Sequence, residues 1–348
     1  MVYQAAMIRL WRITLLLISV VVVPSTFAHS MDSAHPPDPA CDTTPVASDD
    51  DLRSQSSFCD SAVQSDGLHV GSPVTAESLI YERLRRERAV ENVRSILTGH
   101  KRNYVLPFSY NRSPNQMPFM SPTGIDLDGE SLHRSEVKFQ LSLKSPIWRP
   151  GIVSDDAVYI GFTTTAWWQA FNQRVSAPFR ETNYEPEVFW VTPLRNQTTD
   201  AALFGIGISH QSNGRGAELS RSWNRIYGSF VWEKNRFVFS FKPWWRIPED
   251  EKVEPGVAIG DDNPDIEDYL GHFEFQVLYR RRDHEWGMMF RHNFDSDSRG
   301  AIQLDWTFPL WRGLRGYAQY FNGYGESLID YNAHTQRFGI AIQLTDIL

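Results

Sequence analysis

Val137-Lys138-Phe139-Gln140-Leu141-Ser142-Leu143 puts an apolar side chain at every odd position and a polar one at every even position. Successive side chains of a β-strand point to opposite faces, so the stretch reads as a strand with one apolar and one wet face. The dyad recurs. Phe237, Phe239 and Phe241 alternate with Val238, Ser240 and Lys242, and Phe273, Phe275 and Val277 with His272, Glu274 and Gln276. Ile302, Leu304, Trp306 and Phe308 alternate with Gln303, Asp305 and Thr307, and near the end Phe338, Ile340, Ile342 and Leu344 stand opposite Gly339, Ala341 and Gln343. The pattern starts at Asn103 and runs in segments of about ten residues separated by Gly, Pro, Asn and Asp clusters.

Strands are expected near 136–147, 157–171, 183–193, 201–212, 222–233, 236–246, 268–281, 284–294, 300–309, 313–325 and 336–347. Single-chain bacterial barrels carry even strand numbers, so the aromatic segment Asn103 to Tyr110 is taken as the first strand of twelve. A soluble β-sandwich alternates in the same way. Against it stand Lys, Glu, Asp and Gln in mid-strand on the polar faces, as a wet lumen tolerates, and aromatic pairs near strand ends, Trp167-Trp168 and Trp244-Trp245. The total of 12 Trp, 13 Tyr and 21 Phe suits the two aromatic girdles of a membrane barrel. The expected fold is therefore all-β: a twelve-stranded antiparallel transmembrane β-barrel with an N-terminal extension. Both termini then lie in the periplasm, the short link after Glu233 is a periplasmic turn, and the 213–221 loop opens to the exterior.

Residues 1–28 carry Arg9 and Arg12, an apolar run from Ile13 to Val23, then Pro24 and small residues up to Ala28, the layout of a secretory signal peptide. The run is too short to span a bilayer as a helix, and no later stretch reaches the roughly 18 apolar residues such a span needs. Residues 29–102 read as a periplasmic extension. It is acidic and rich in Ser, Asp and Pro to about Pro73; then Leu79, Leu84, Val90, Val93 and Leu97 predict a helix within 75–97, started by Thr75 with Glu77 close behind. Its mixed charges predict a solvated face. Cys41 and Cys59 lie in the exported extension, where an oxidising compartment permits a disulfide. Neither has the neighbours that zinc or lipid attachment requires. The barrel itself is expected over 103–348, and the net charge of -8 argues against a nucleic-acid partner.

Chemistry concentrates in Phe204-Gly205-Ile206-Gly207-Ile208-Ser209-His210-Gln211-Ser212-Asn213-Gly214-Arg215 and in Ser220-Arg221-Ser222-Trp223-Asn224. Parity with Phe204, Ile206 and Ile208 puts His210 and Ser212 on the lipid-facing side. Asn224, in step with Ile226 and Phe230, faces the same way from the next strand. Polar groups set against hydrocarbon cost free energy unless they satisfy one another. A serine activated by a histidine that an asparagine amide orients accounts for all three. Polar side chains at headgroup level are the other reading open on parity alone. The G-x-S-x-G elbow of α/β-hydrolases is absent.

The blocks from His210 to Arg215 and from Ser220 to Arg225 resemble the active-site hairpin of the outer-membrane phospholipase A family. Glu136 to Leu143, Pro178 to Pro186, Asp261 to Asp265 and Gly323 to Asn332 are similar to further blocks of that family, in the same order, so the resemblance covers the barrel from about 103 to the end. It implies hydrolysis of phospholipid acyl esters at either glycerol position in the bacterial outer membrane, by a homodimer that calcium activates. It also implies Ser212 as nucleophile, His210 as base and Asn224 as orienting residue, with the Gly214 N–H stabilising the oxyanion. Calcium is implied near the Arg215 carbonyl and the Ser220 hydroxyl, with Ser176 and Asp262 as further ligands tied to the dimer. Gln211 departs from the acidic residue the pattern leads one to expect between His210 and Ser212, and Leu348 stands where barrels usually end in Phe. The alternative is a non-catalytic barrel, a pore or a structural protein.

Overall fold

The computed structural model describes residues 78–91, 97–119, 131–153, 155–173, 179–194, 201–253, 260–311 and 313–345. The signal peptide, most of the extension, Cys41, Cys59 and Ser176 lie outside these residues.

Twelve strands form the barrel: β1 Asn103–Asn111, β2 Ser135–Trp148, β3 Ala157–Trp168, β4 Glu181–Leu194, β5 Ala202–Ser212, β6 Ser222–Lys234, β7 Phe237–Ile247, β8 Phe273–Arg281, β9 His284–His292, β10 Gly300–Trp311, β11 Leu314–Gly323 and β12 Thr335–Thr345. Each pairs antiparallel with its chain neighbours, and β12 closes on β1 with Tyr110 opposite Phe338 and Phe108 opposite Ile340. Closure leaves no free strand edge, which hydrocarbon requires because it offers backbone groups no partner. A two-residue bridge, Thr98–Gly99, adds to β2 opposite Lys144 and Leu143. Among the described residues no helix is long and apolar enough to cross a membrane. The strands do the crossing.

Burial runs opposite to that of a soluble sandwich. Glu136, Lys138 and Ser142 of β2 are buried while Leu141 is exposed, and Gly205, Gly207 and Ser209 of β5 are buried while Ile206 and Ile208 are 49% and 55% exposed. The polar face is inside. There the charges pair: Glu136 with Arg180 at 2.6 Å, Glu326 with Lys138 at 2.9 Å and Arg337 at 2.8 Å, and Arg102 with Glu285 at 2.6 Å. Glu187 accepts from the Tyr227 hydroxyl at 2.6 Å and pairs with His100 at 2.8 Å. Buried charges are tolerable where every one finds an opposite partner.

The N-terminal helix α1 spans Leu79–Glu91. One face, with Arg85 and Arg86, is exposed, and the other docks. Ile80 packs in one apolar cluster with Ala201, Val238 and Leu278, joined by Leu79, Leu84, Leu203 and Val231. Glu87 is buried and pairs with Lys144 at 2.9 Å and Arg83 at 2.8 Å. Long charged side chains can lie along apolar surface while their heads find charged partners, so a charge-rich helix can dock. Val238 and Leu278 face the lumen, and α1 therefore lies across the end of the barrel that carries the Asn235-Arg236 turn.

One strand begins later than expected. Residues Ile266–Leu270 form a short helix, α2, and β8 starts only at Phe273. Gly271, at φ +68°, makes the change of direction, and a Cβ there would stand 2.2 Å from the His292 carbonyl oxygen. The dyad in fact begins at His272; residues 268–271 carry no alternation. The other strand limits fall within three residues of expectation.

Candidate active site on the lipid-facing hairpin

Strands β5 and β6 pair with His210 directly opposite Asn224, Ser209 opposite Arg225 and Ser212 opposite Ser222. Directly opposed residues project from the same face, so the side chains of His210 and Asn224 meet. His210 Nδ1 lies 2.9 Å from Asn224 Oδ1. An amide oxygen only accepts, so the proton of the neutral ring sits on Nδ1 and Nε2 is left as the basic nitrogen. Ser212 stands two residues further along the same face of β5, beside Tyr184 of β4.

The surroundings on this face are apolar. Ile208, Val188, Tyr184, Phe162 and Trp245 are all exposed at the barrel's outer surface, and Ile226 and Trp245 pair immediately below the Asn224 level. Polar side chains on an apolar outer face cost free energy unless they satisfy one another.

Beyond Ser212 the chain turns sharply. Asn213, buried, holds the turn: its backbone N–H donates to the Arg221 carbonyl at 3.0 Å, its Nδ2 to the Leu219 carbonyl at 2.8 Å, and its Oδ1 accepts from the backbone N–H groups of Arg221 at 3.0 Å and Arg215 at 3.3 Å. Gly214 takes a φ of +63°, a left-handed conformation natural to glycine, and the Tyr184 ring lies 3.3 Å from where its Cβ would be. Its N–H has no hydrogen-bond partner among the described residues. Arg215 is tethered across to the start of β4: Nε to Glu181 at 3.2 Å and Nη2 to the carbonyls of Phe179 at 3.0 Å and Arg180 at 2.5 Å.

On the other side of the loop, Asp262 Oδ2 accepts from the Ser220 hydroxyl at 2.7 Å and the Ser222 hydroxyl at 3.2 Å, and the Lys252 ammonium contacts Asp262 Oδ1. Ser222 N–H donates to Asn263 Oδ1 at 3.1 Å, which fastens the Asp262 loop to the hairpin. Ser220 and Asp262, 42 positions apart in sequence, are thus brought together; Arg215 lies in the 213–221 loop with Ser220, its side chain turned to Glu181, and Ser176 is outside the described residues. Carboxylate and hydroxyl oxygens are hard donors that suit calcium, and the lysine shows that the pocket attracts a cation, so the residues present fit that metal. Among the described residues no three His, Cys, Asp or Glu side chains cluster as a metal site.

Three participants escaped sequence reasoning. Asn213 looks like any turn residue, and only its hydrogen bonds to Arg221, Leu219, Arg215 and Glu181 reveal that it sets the loop. Lys252 sits ten positions before Asp262 in a stretch without periodicity. Glu249 accepts from Asn224 Nδ2 at 2.8 Å. Its one sequence signal is register: a two-residue turn at Asn235-Arg236 places Ile247 opposite Asn224, and Glu249 follows two residues on, on the same face.

Residues 80–344 match the phospholipase A1 family. The phospholipase A1 of Klebsiella pneumoniae is 38% identical over 221 residues, covering 63% of this chain and 73% of that protein. The solved outer membrane phospholipase A from Escherichia coli superposes with a TM-score of 0.64 at 33% identity, covering 72% of this chain and 99% of that one. A Salmonella typhi outer membrane phospholipase, solved as a dimer with bound calcium, gives a TM-score of 0.65 at 31% identity over 73% of this chain and 94% of that one. A match across nearly the whole barrel, with a closed fold of the same kind, makes this chain a member of the phospholipase A1 family and a phospholipase of the bacterial outer membrane.

Proposed function

We propose that the chain hydrolyses the acyl esters of glycerophospholipids at both the sn-1 and sn-2 positions, with Ser212 as nucleophile, His210 as general base and acid, and Asn224 as the residue that orients His210. The observation that carries this reading is the 2.9 Å contact between His210 Nδ1 and Asn224 Oδ1 on the lipid-facing side of a strand that also presents Ser212. A pore needs none of these three.

Ser212 Oγ attacks the ester carbonyl carbon while its proton passes to His210 Nε2. Asn224 Oδ1 holds the ring through Nδ1–H and stabilises the imidazolium. The tetrahedral oxyanion is met by the Gly214 N–H, whose lack of a partner among the described residues suits that task. The intermediate collapses as His210 returns the proton to the departing glycerol oxygen, leaving an acyl ester on Ser212 and releasing a lysophospholipid. Water, deprotonated by His210, then attacks the acyl carbonyl, and the fatty acid leaves as Ser212 recovers its proton. The Arg215 carbonyl and the hydroxyl of Ser220, with Ser176 and Asp262, would hold calcium. When bound, calcium supplies positive charge beside the developing oxyanion. A calcium-dependent homodimer, formed through the apolar outer strip beside the site, is the active form in this reading. Residues 1–28 serve as the export signal and 29–102 as the periplasmic extension.

A long-chain sulfonyl fluoride tests the nucleophile. Mass spectrometry is expected to place one adduct on the peptide containing Ser212, and the adduct disappears with His210→Ala. An adduct on another residue of an active, folded protein removes Ser212 from the role.

A further inference from the structure

The hydrogen-bond chain that begins at His210 does not end at Asn224. Asn224 Oδ1 faces His210 Nδ1 at 2.9 Å, and Asn224 Nδ2 donates to Glu249 Oε1 at 2.8 Å. Glu249 lies two residues past the end of β7. Ile247, the last residue of β7, pairs with Asn224, so Glu249 shares the outer face and sits diagonally beyond it. It is half-buried. The nearest cation on its own strand, Arg246, is committed elsewhere, to Asp261 Oδ1 at 2.5 Å and the Pro264 carbonyl at 3.0 Å. Among the described residues Asn224 is the one hydrogen-bond donor to the Glu249 carboxylate.

An asparagine amide has two ends of nearly equal shape and opposite function. Oδ1 toward His210 accepts the Nδ1–H; a flipped amide would set N–H against N–H and leave the imidazole unsupported. Nothing about β6 itself selects between the two. A carboxylate does, because it only accepts, so its partner must be Nδ2. The same negative charge draws the amide's electrons toward Oδ1 and strengthens its hold on an imidazolium. A serine-histidine-asparagine site thereby regains, one residue further out, the carboxylate that a serine-histidine-aspartate site carries next to its histidine.

We propose that Glu249 is a positioning residue for the hydrolytic site: it fixes the orientation of the Asn224 amide and so that of His210. This rests on the triad reading above.

The test is a double-mutant cycle on folded protein in phospholipid–detergent mixed micelles at saturating calcium, reading kcat and KM for Glu249→Ala, Asn224→Ala and the pair. Glu249→Ala is expected to lower kcat about 10-fold, the usual worth of one charge-assisted hydrogen bond, and to leave KM within about twofold. In the Asn224→Ala background the same change is expected to cost nothing further, since its route to His210 is gone. Glu249→Gln, whose Oε1 still accepts, restores part of the loss. Asn224→Asp sets two carboxylates face to face, so its activity should rise when Glu249→Gln is added. Equal losses in both backgrounds, or an unchanged kcat in Glu249→Ala, overturn the proposal while the triad stands. A folded wild type that releases no fatty acid sinks the triad and this inference with it.

Discussion

Removing the Glu233 carboxylate should release α1 from the barrel end without unfolding the barrel. Glu233, 6% exposed at the end of β6, accepts three hydrogen bonds at the helix start: from Ser78 Oγ at 2.6 Å, Leu79 N–H at 3.0 Å and Ile80 N–H at 3.1 Å. Ser78 Oγ itself accepts from the Tyr81 N–H at 3.3 Å, so the first turn is capped twice over. A hydrogen bond contributes about 1 kcal/mol net, and an anion at a helix N-terminus about 0.5 kcal/mol more. Glu233→Ala forfeits all of these, about 3.5 kcal/mol, which is roughly a 400-fold shift in the local opening equilibrium. The other tethers, Ile80 in its apolar cluster and Arg83 donating to the Gly99 and His100 carbonyls at 3.1 and 3.2 Å, remain. Hydrogen exchange read by mass spectrometry on micelle-embedded protein should show peptides over 78–91 exchanging roughly 400-fold faster, with strand peptides unchanged. Unchanged exchange over 78–91 refutes the docking reasoning. So does equal acceleration everywhere, which would make Glu233 a determinant of the whole barrel.

Three further outcomes are expected. Gly214→Ala forces a side chain into a left-handed φ and against Tyr184, displacing the N–H offered to the oxyanion; kcat should fall about 100-fold with unchanged micelle binding, and wild-type kcat would remove Gly214 from that role. Lys252→Met removes the cation that competes for Asp262, so calorimetry should find calcium bound about 10-fold more tightly, whereas unchanged or weaker binding separates Asp262 from the calcium site. Burial pushes the Glu326 carboxyl up, but Arg337 and Lys138 beside it prevail and hold it at about 2. A carboxyl lowered on folding stabilises above its unfolded pKa, so on the order of 3 kcal/mol is present at neutral pH and is lost as pH falls from about 4.5 towards 2. Denaturant titrations across that window should show the loss in the wild type and a flatter profile in Glu326→Gln; parallel profiles contradict it.

The barrel was legible because its strands obey one rule. A side chain facing lipid must be apolar and its neighbour facing the lumen need not be, and the alternation of Val137 to Leu143 or Phe237 to Lys242 states that rule residue by residue. The same parity puts His210, Ser212 and Asn224 on one face. Where periodicity stops, so does legibility. Ile266–Leu270 lies where the dyad stops, and Gly271 ends the helix with its N–H donating to the Glu267 carbonyl. The docking of α1 depends on Glu233 and Lys144, roughly 155 and 57 positions away from their partners, and no local pattern encodes such pairs. Asn213, Lys252 and Glu249 were invisible for the same reason: each acts through a contact that exists only once the hairpin register is set.

Fatty-acid release from mixed phospholipid–detergent micelles by the folded protein, with calcium, with a chelator, and with Ser212→Ala, bears most directly on the whole account. Calcium-dependent release that falls at least about 1000-fold in correctly folded Ser212→Ala is the predicted result. Release that survives Ser212→Ala, or none from a folded, calcium-loaded wild type, contradicts it.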